Sequence, residues 1–251
     1  MQYTITSRLN LPNLFKFGII LAALLLAGCG AGYQQENGRW VFIEFNESAG
    51  KVVKPIAGVD QHTFEVINGQ YARDTQRVYY RDNPIEGADP VSFEHVSGLF
   101  WKDARQVYYV DQVIPGADPR TFRQLKYTYW ARDDRNVYVT TNPVNPRDMK
   151  SFKQISQYWA KDDLWYYPQN SGKYLPISEL DYDTFQILKG GWAKDCCRVY
   201  YTGRVVEGAD PSSFYTVNEF RGRDKAWAYL MGTRQRTLEE DLELEKRLKN
   251  P

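Results

Sequence analysis

A continuous apolar run from Phe17 to Ala27, broken only by Gly18, is followed by short apolar triplets set at regular distances among turn-forming residues. The triplets are Val78-Tyr79-Tyr80, Val107-Tyr108-Tyr109, Val137-Tyr138-Val139, Trp165-Tyr166-Tyr167 and Val199-Tyr200-Tyr201, with Ala228-Tyr229-Leu230 as a degraded last copy and Val41-Phe42-Ile43 as a leading half-copy. Branched and aromatic side chains pack well on a pleated surface, so each triplet predicts a strand. Each is short and bounded by Gly, Pro, Asn and Asp, as hairpin strands are. Asp74-Thr75-Gln76-Arg77 and its equivalents read as tight turns whose leading carboxylate accepts a backbone N–H two residues on. A second turn follows each triplet, clearest at Thr202-Gly203, where glycine supplies the positive φ that tight hairpins need. Val113-Ile114 and Val205-Val206 then give another short apolar strand.

These elements repeat. An Asp followed four residues later by Phe occurs as Asp60/Phe64, Asp89/Phe93, Asp118/Phe122, Asp148/Phe152, Asp181/Phe185 and Asp210/Phe214, at intervals of 29, 29, 30, 33 and 29 residues. Some ten residues after each Phe stands a second aspartate: Asp74, Asp103, Asp133, Asp162, Asp195 and Asp224. In Gly-Ala-Asp-Pro-x-Ser/Thr-Phe the Asp caps a single turn, the Pro suits its first position, and the Phe is planted in the core. One such unit cannot bury its apolar face alone, whereas stacked neighbours share an aromatic core. The predicted fold is all-β: tandem short antiparallel hairpin or meander repeats in an open or curved array, with a small propeller-like closure as the alternative, and a C-terminal helix. At 29 residues the unit is short for a propeller blade.

Gly87-Ala88-Asp89-Pro90, Gly116-Ala117-Asp118-Pro119, Gly208-Ala209-Asp210-Pro211, Tyr71-Ala72-Arg73-Asp74 and Trp192-Ala193-Lys194-Asp195, each in step with a Val-Tyr-Tyr triplet, resemble the DKNYY family over residues 39–230. The resemblance implies a repeat protein and carries no catalytic residues. The fourth unit departs from the pattern, reading as if a turn residue were lost before Trp165 and several gained around Pro168 to Pro176.

Arg8 and Lys16 precede the apolar run without any acid, which makes residues 1–28 a secretory signal too short for a comfortable spanning helix. The run ends in Leu26-Ala27-Gly28-Cys29, which resembles the bacterial lipobox. That resemblance implies acylation of Cys29, with palmitate-type chains, as the first mature residue; an ordinary signal or an uncleaved anchor is the other reading. Lipidation would hold the chain on a membrane without a span. Gly30 after the cysteine implies the outer membrane, facing the periplasm, in an enteric-type host. Residues 29–38 then read as a flexible tether, 39–230 as six repeats and 236–250 as a C-terminal capping helix. Thr237 and Glu240 fit a capping box, and Leu238, Leu242 and Leu248 suggest an apolar stripe. That stripe either covers the last repeat or docks a partner.

Composition narrows the chemistry. A net charge of +1 without a basic cluster excludes a nucleic-acid footprint. His62 and His95 occupy unrelated repeat positions, and two His with three Cys in all give no metal set, so no metal, cofactor or catalytic residue is expected. Cys196-Cys197 lies in the turn of the fifth unit as a vicinal bridge, an intermolecular bridge or free thiols. Asp133-Asp134 and Asp162-Asp163 are adjacent carboxylates that would not face one cleft, and no calcium-loop pattern is present. Aromatic residues reach 15%, enough to fill a repeat core, while Tyr127, Tyr129 and Tyr182 fall off the period and are surface candidates. The expectation is a non-enzymatic, lipid-anchored envelope protein that binds another protein. A carbohydrate- or peptidoglycan-binding module and an immunity or inhibitor protein against a secreted toxin are the alternatives.

Overall fold

A computed structural model describes residues 30–169 and 180–249. The chain divides into Met1–Gly30 and Ala31–Pro251. The expected signal segment, residues 1–28, and the expected acylation site Cys29 lie outside the described residues, as does most of the insertion in the fourth repeat. Among the described residues no helix is long and apolar enough to cross a membrane.

The described residues of Ala31–Pro251 form seven small antiparallel sheets and one helix. The first sheet contains β1 (Gly32–Glu36), β2 (Arg39–Asn46) and β3 (Gly50–Pro55). Gly32–Glu36 was expected in the tether; it is instead a strand, pairing from Gly32↔Ile43 to Glu36↔Arg39. Each later sheet belongs to one repeat. Repeat 1 forms β4 (Glu65–Val66), β5 (Tyr71–Arg73), β6 (Val78–Tyr80) and β7 (Asn83–Pro84), in that spatial order. Repeats 2, 3, 5 and 6 have the same four-stranded meander, and the described residues of repeat 4 form three of its strands.

The core is divided among the joints between sheets. Six buried clusters each join two consecutive sheets. Phe42 and Ile56 of the first sheet and its exit meet Phe64, Ala72 and Tyr79 of repeat 1; Tyr71, Val78 and Ile85 of repeat 1 meet Phe93, Trp101 and Tyr108 of repeat 2. The series continues to Trp192, Val199 and Val206 against Phe214 and Tyr229. Phe93 stacks on Trp101 with ring centroids 5.1 Å apart, and Trp192 meets Phe214 at 5.0 Å. The leading-turn Phe therefore lies in the joint with the preceding sheet, which is why one repeat cannot close a core alone. The strand position behind it is small in five repeats: Ala72, Ala131, Ala160, Ala193 and Gly222. A Cβ at Gly222 would run into the Phe214 ring.

The fourth repeat keeps its register. The keystone tyrosine stands five residues after the second aspartate in every repeat, and here it is Tyr167, with the strand at Tyr166–Pro168. No turn residue is missing, so Trp165 belongs to the turn and the apparent loss was a shift of one in reading the triplet.

Helix α1 (Leu238–Lys249) starts at a formed capping box: Thr237 N–H donates to Glu240 Oε2 at 3.0 Å, and Glu240 N–H to Thr237 Oγ1 at 3.3 Å. Its inward face is acidic, which corrects the expected leucine stripe. Asp241 is buried, whereas Leu242, Leu244 and Leu248 are exposed. Asp241 meets Arg223 at 2.6 Å and Arg221 at 2.7 Å, and Glu245 meets Arg223 at 2.8 Å. Arg223 stands where Arg73, Lys102 and Lys194 reach the next repeat's Asp-Pro carbonyl, at 3.2, 3.1 and 2.9 Å. After the last repeat no such carbonyl follows, and two helix carboxylates replace it.

Candidate functional site

The recurring aspartates are structural centres. Asp103 is 3% exposed and accepts four hydrogen bonds: from Arg105 N–H and Gln106 N–H at 2.7 Å on Oδ1, and from Asp89 N–H at 3.0 Å and Tyr108 O–H at 2.7 Å on Oδ2. The same four donor positions surround Asp74, Asp133, Asp162 and Asp224, and Asp195 differs only in a longer bond from Asp181 N–H, 3.3 Å. Burial pushes these carboxyls up, but the donors outweigh it and hold all six below the ordinary value. Burial first, and the carboxylate second, push the partner tyrosines up, Tyr79 to about 12. The sequence suggested one backbone acceptor bond for each of these acids; their burial and full saturation were not foreseen.

The first aspartate of each repeat caps its own turn. Asp89 Oδ1 accepts Val91 N–H at 3.1 Å and Oδ2 accepts Ser92 O–H at 2.6 Å. Ser92 Oγ in turn accepts Ala104 N–H at 3.0 Å, so one hydroxyl ties the two turns of a repeat together. Thr63, Thr121, Ser151, Thr184 and Ser213 accept the matching N–H in the other repeats.

The remaining candidates are dispersed. Asp133 is buried while the side chain of Asp134 is 69% exposed, so that pair shares no cleft. His62 and His95 are both exposed, and a His95 ring nitrogen lies 3.0 Å from Gly98 O. Of the off-period rings only Tyr182 is exposed. Tyr127 and Tyr129 pack against the core at the joint of repeats 3 and 4, and Tyr127 O–H reaches Ile155 O at 3.2 Å. Cys196 and Cys197 form the vicinal bridge. Among the described residues, they and Asp195 are the one group that brings three metal-donor side chains together. The two sulfurs are spent on each other and both Asp195 oxygens on the turn, so this set suits a metal poorly.

The two ends of the sheets differ. At one end lie the Asp turns and shallow polar clefts between repeats. The cleft of repeats 2 and 3, about 480 Å³, holds the Lys102–Glu94 pair, and that of repeats 5 and 6, about 200 Å³, has Lys194 and Cys196 in its walls. At the other end, the hairpin residue after each triplet donates its N–H to the carbonyl of the residue opening the preceding hairpin. The pairs are Arg81/Gln70, Val110/Leu99, Thr140/Tyr129, Gln169/Tyr158, Thr202/Gly191 and Met231/Phe220, with bonds of 2.7 to 2.9 Å. The hydrogen bond recurs in all six repeats, and in five of them its donor (Arg81, Val110, Thr140, Thr202 and Met231) holds a positive φ, while the side chains vary; Leu99, Phe220 and Met231 are exposed. Tyr109, Tyr129, Tyr158 and Tyr201 lie along this end, near enough that ionising one disfavours ionising the next. Burial pushes Tyr109, Tyr158 and Tyr201 up. This ladder spans repeats 2 to 5 and was invisible in the sequence, because its members come from two different positions of the repeat.

No curated protein and no solved structure matches the chain. Residues 100–233 match the DKNYY family, and that segment holds the last turn-and-triplet of repeat 2 and the four repeats after it. With more than half its length matched, and with the motif's Asp and Tyr at the centre of every repeat, the chain belongs to the DKNYY family.

Proposed function

We propose that this DKNYY-family chain is a lipid-anchored, non-enzymatic module of the bacterial cell envelope that binds another protein along the tyrosine-bearing end of its sheets. The lipobox-like Leu26-Ala27-Gly28-Cys29 supports the anchor, with Cys29 as the acylated residue. The observation that carries the binding reading is the contrast between the two kinds of position. Scaffold residues recur in every repeat, whereas the hairpin pairs at one end differ from repeat to repeat over a shared backbone hydrogen bond. Tyrosine gives large, rigid, amphipathic contact area at low entropic cost, which suits such an end to protein recognition. The saturation of the six buried carboxylates supports a non-catalytic role, since a general acid or base needs a free site for the substrate's proton.

A photo-crosslinking residue at Met231 or Tyr158 in cells is expected to capture a protein, and one at Gln76 on the opposite end is not. Capture at Gln76 alone, or at none of the three, refutes the binding reading. Cys29→Ala is expected to abolish acyl labelling and release the chain from the membrane fraction; unchanged labelling refutes the anchor. The peptidoglycan reading is favoured instead if purified chain co-sediments with cell wall and Tyr158→Ser abolishes it.

A further inference from the structure

The Asp195 turn carries the two adjacent cysteines, joined and exposed. Its backbone is the one the sister turns adopt without any cysteine. Cys197 N–H and Arg198 N–H donate to Asp195 Oδ1 at 2.8 and 2.7 Å, and Asp195 N–H donates to Arg198 O at 3.0 Å. At Asp74, where Thr75-Gln76 fills the same two positions, the corresponding bonds are 2.7, 2.7 and 2.9 Å. The turn is therefore shaped by its aspartate and does not depend on the bridge. Opening the bridge leaves the hydrogen bonds of repeat 5 in place.

The two sulfurs are not equivalent. Cys196 Sγ lies 3.1 Å from Asp181 Oδ2. In repeats 1, 2, 4 and 6 that oxygen accepts a Ser or Thr hydroxyl. A carboxylate at this distance repels a thiolate that approaches Cys196. Attack is thus directed to Cys197.

We propose that Cys196–Cys197 is a reversible thiol-exchange site that accepts a low-molecular-weight thiol on Cys197 without change of fold. The incoming thiolate forms a sulfur–sulfur bond to Cys197 as the Cys196–Cys197 bond breaks. The electron pair leaves on Cys196, which takes a proton from water and donates it in a hydrogen bond to Asp181. A second equivalent of thiolate attacks the mixed disulfide, releasing the oxidised low-molecular-weight disulfide and, after protonation, the second thiol of the pair. Complete reduction moves two electrons from two thiols to the bridge.

The test uses the full chain with Cys29→Ala, so that only the turn sulfurs report. Excess glutathione without denaturant is expected to reduce the bridge, read by alkylation and peptide mass, with Tm shifted by less than the loss caused by Asp195→Asn. A bridge that opens only in denaturant, or an opening that costs as much as Asp195→Asn, overturns the proposal. Reaction of single-cysteine variants with oxidised glutathione separates the two sulfurs. Cys196→Ser, which leaves Cys197, is expected to react up to about tenfold faster than Cys197→Ser, the scale of one unit charge acting through water at such a distance. Asp181→Asn in the Cys197→Ser background is expected to remove that difference. Equal rates, or no effect of Asp181→Asn, overturn the assignment to Cys197.

Discussion

Replacing Asp103 by Asn changes one oxygen into an NH₂ at the centre of repeat 2 and nothing else in shape. The best placement leaves the amide oxygen on Arg105 N–H and Gln106 N–H, at 2.7 Å each. The NH₂ then faces Asp89 N–H, which loses its acceptor at 3.0 Å, while the Tyr108 hydroxyl can rotate and accept. A buried N–H left unsatisfied costs about 1–3 kcal/mol, and bonds to a charged acceptor, about 1.5–3 kcal/mol each, fall to about 0.5–1.5 when it becomes neutral. The expected total is about 3–6 kcal/mol. Asp111→Asn, on the exposed turn of the same repeat, is expected to change stability by less than about 0.5 kcal/mol. Urea unfolding followed by tryptophan fluorescence and circular dichroism measures both. Tyr108→Phe completes a double-mutant cycle with Asp103→Asn, and a coupling above about 0.5 kcal/mol is expected because the two groups share a hydrogen bond. If Asp103→Asn and Asp111→Asn cost the same, the buried carboxylate does not organise the repeat and the account of the fold fails.

Three further outcomes follow from the same geometry. The six buried carboxyls have folded values below their unfolded value of about 3.9, so the stability they contribute is present above that pH and is lost as pH falls through the lower folded values. Unfolding is expected to set in below about pH 4, and Tm unchanged between pH 6 and pH 3 contradicts this. Val110 holds a φ of 59°, where a branched side chain is crowded, so Val110→Asn is expected to stabilise by about 1 kcal/mol; a destabilisation in urea would show that the residue is not strained. Asp241→Ala removes the closest partner of Arg223, itself 5% exposed, and is expected to cost about 3 kcal/mol and detach α1; unchanged helical circular dichroism and Tm would show that the helix docks by other means.

Much of the fold is written locally. Val-Tyr-Tyr favours strands, Asp and Gly set turns, and Thr237 with Glu240 fixes a helix start, because in each case the interacting atoms lie within a few residues. The period itself was legible for the same reason, and with it the need for units to stack. The readings that changed concern partners further away. Asp103 binds Asp89 N–H fourteen residues earlier, so its turn residues alone suggested a capped surface turn and gave no hint of burial. Trp165-Tyr166-Tyr167 is as good a strand triplet as its neighbours, and only the bond from Tyr167 to Asp162 sets the register.

The sequence by itself determined a repeating β chain with a planted Phe in each unit and a helix after the last repeat. Only the tertiary structure decided which face that helix turns inward, because the unmet cation is Arg223, far away in the chain and left without the next repeat's carbonyl. It also decided where the rings gather. Tyr109, Tyr129, Tyr158 and Tyr201 share one end of the sheets only because stacking brings different positions of successive repeats side by side, and a one-dimensional pattern records periods within a position, not adjacency between positions.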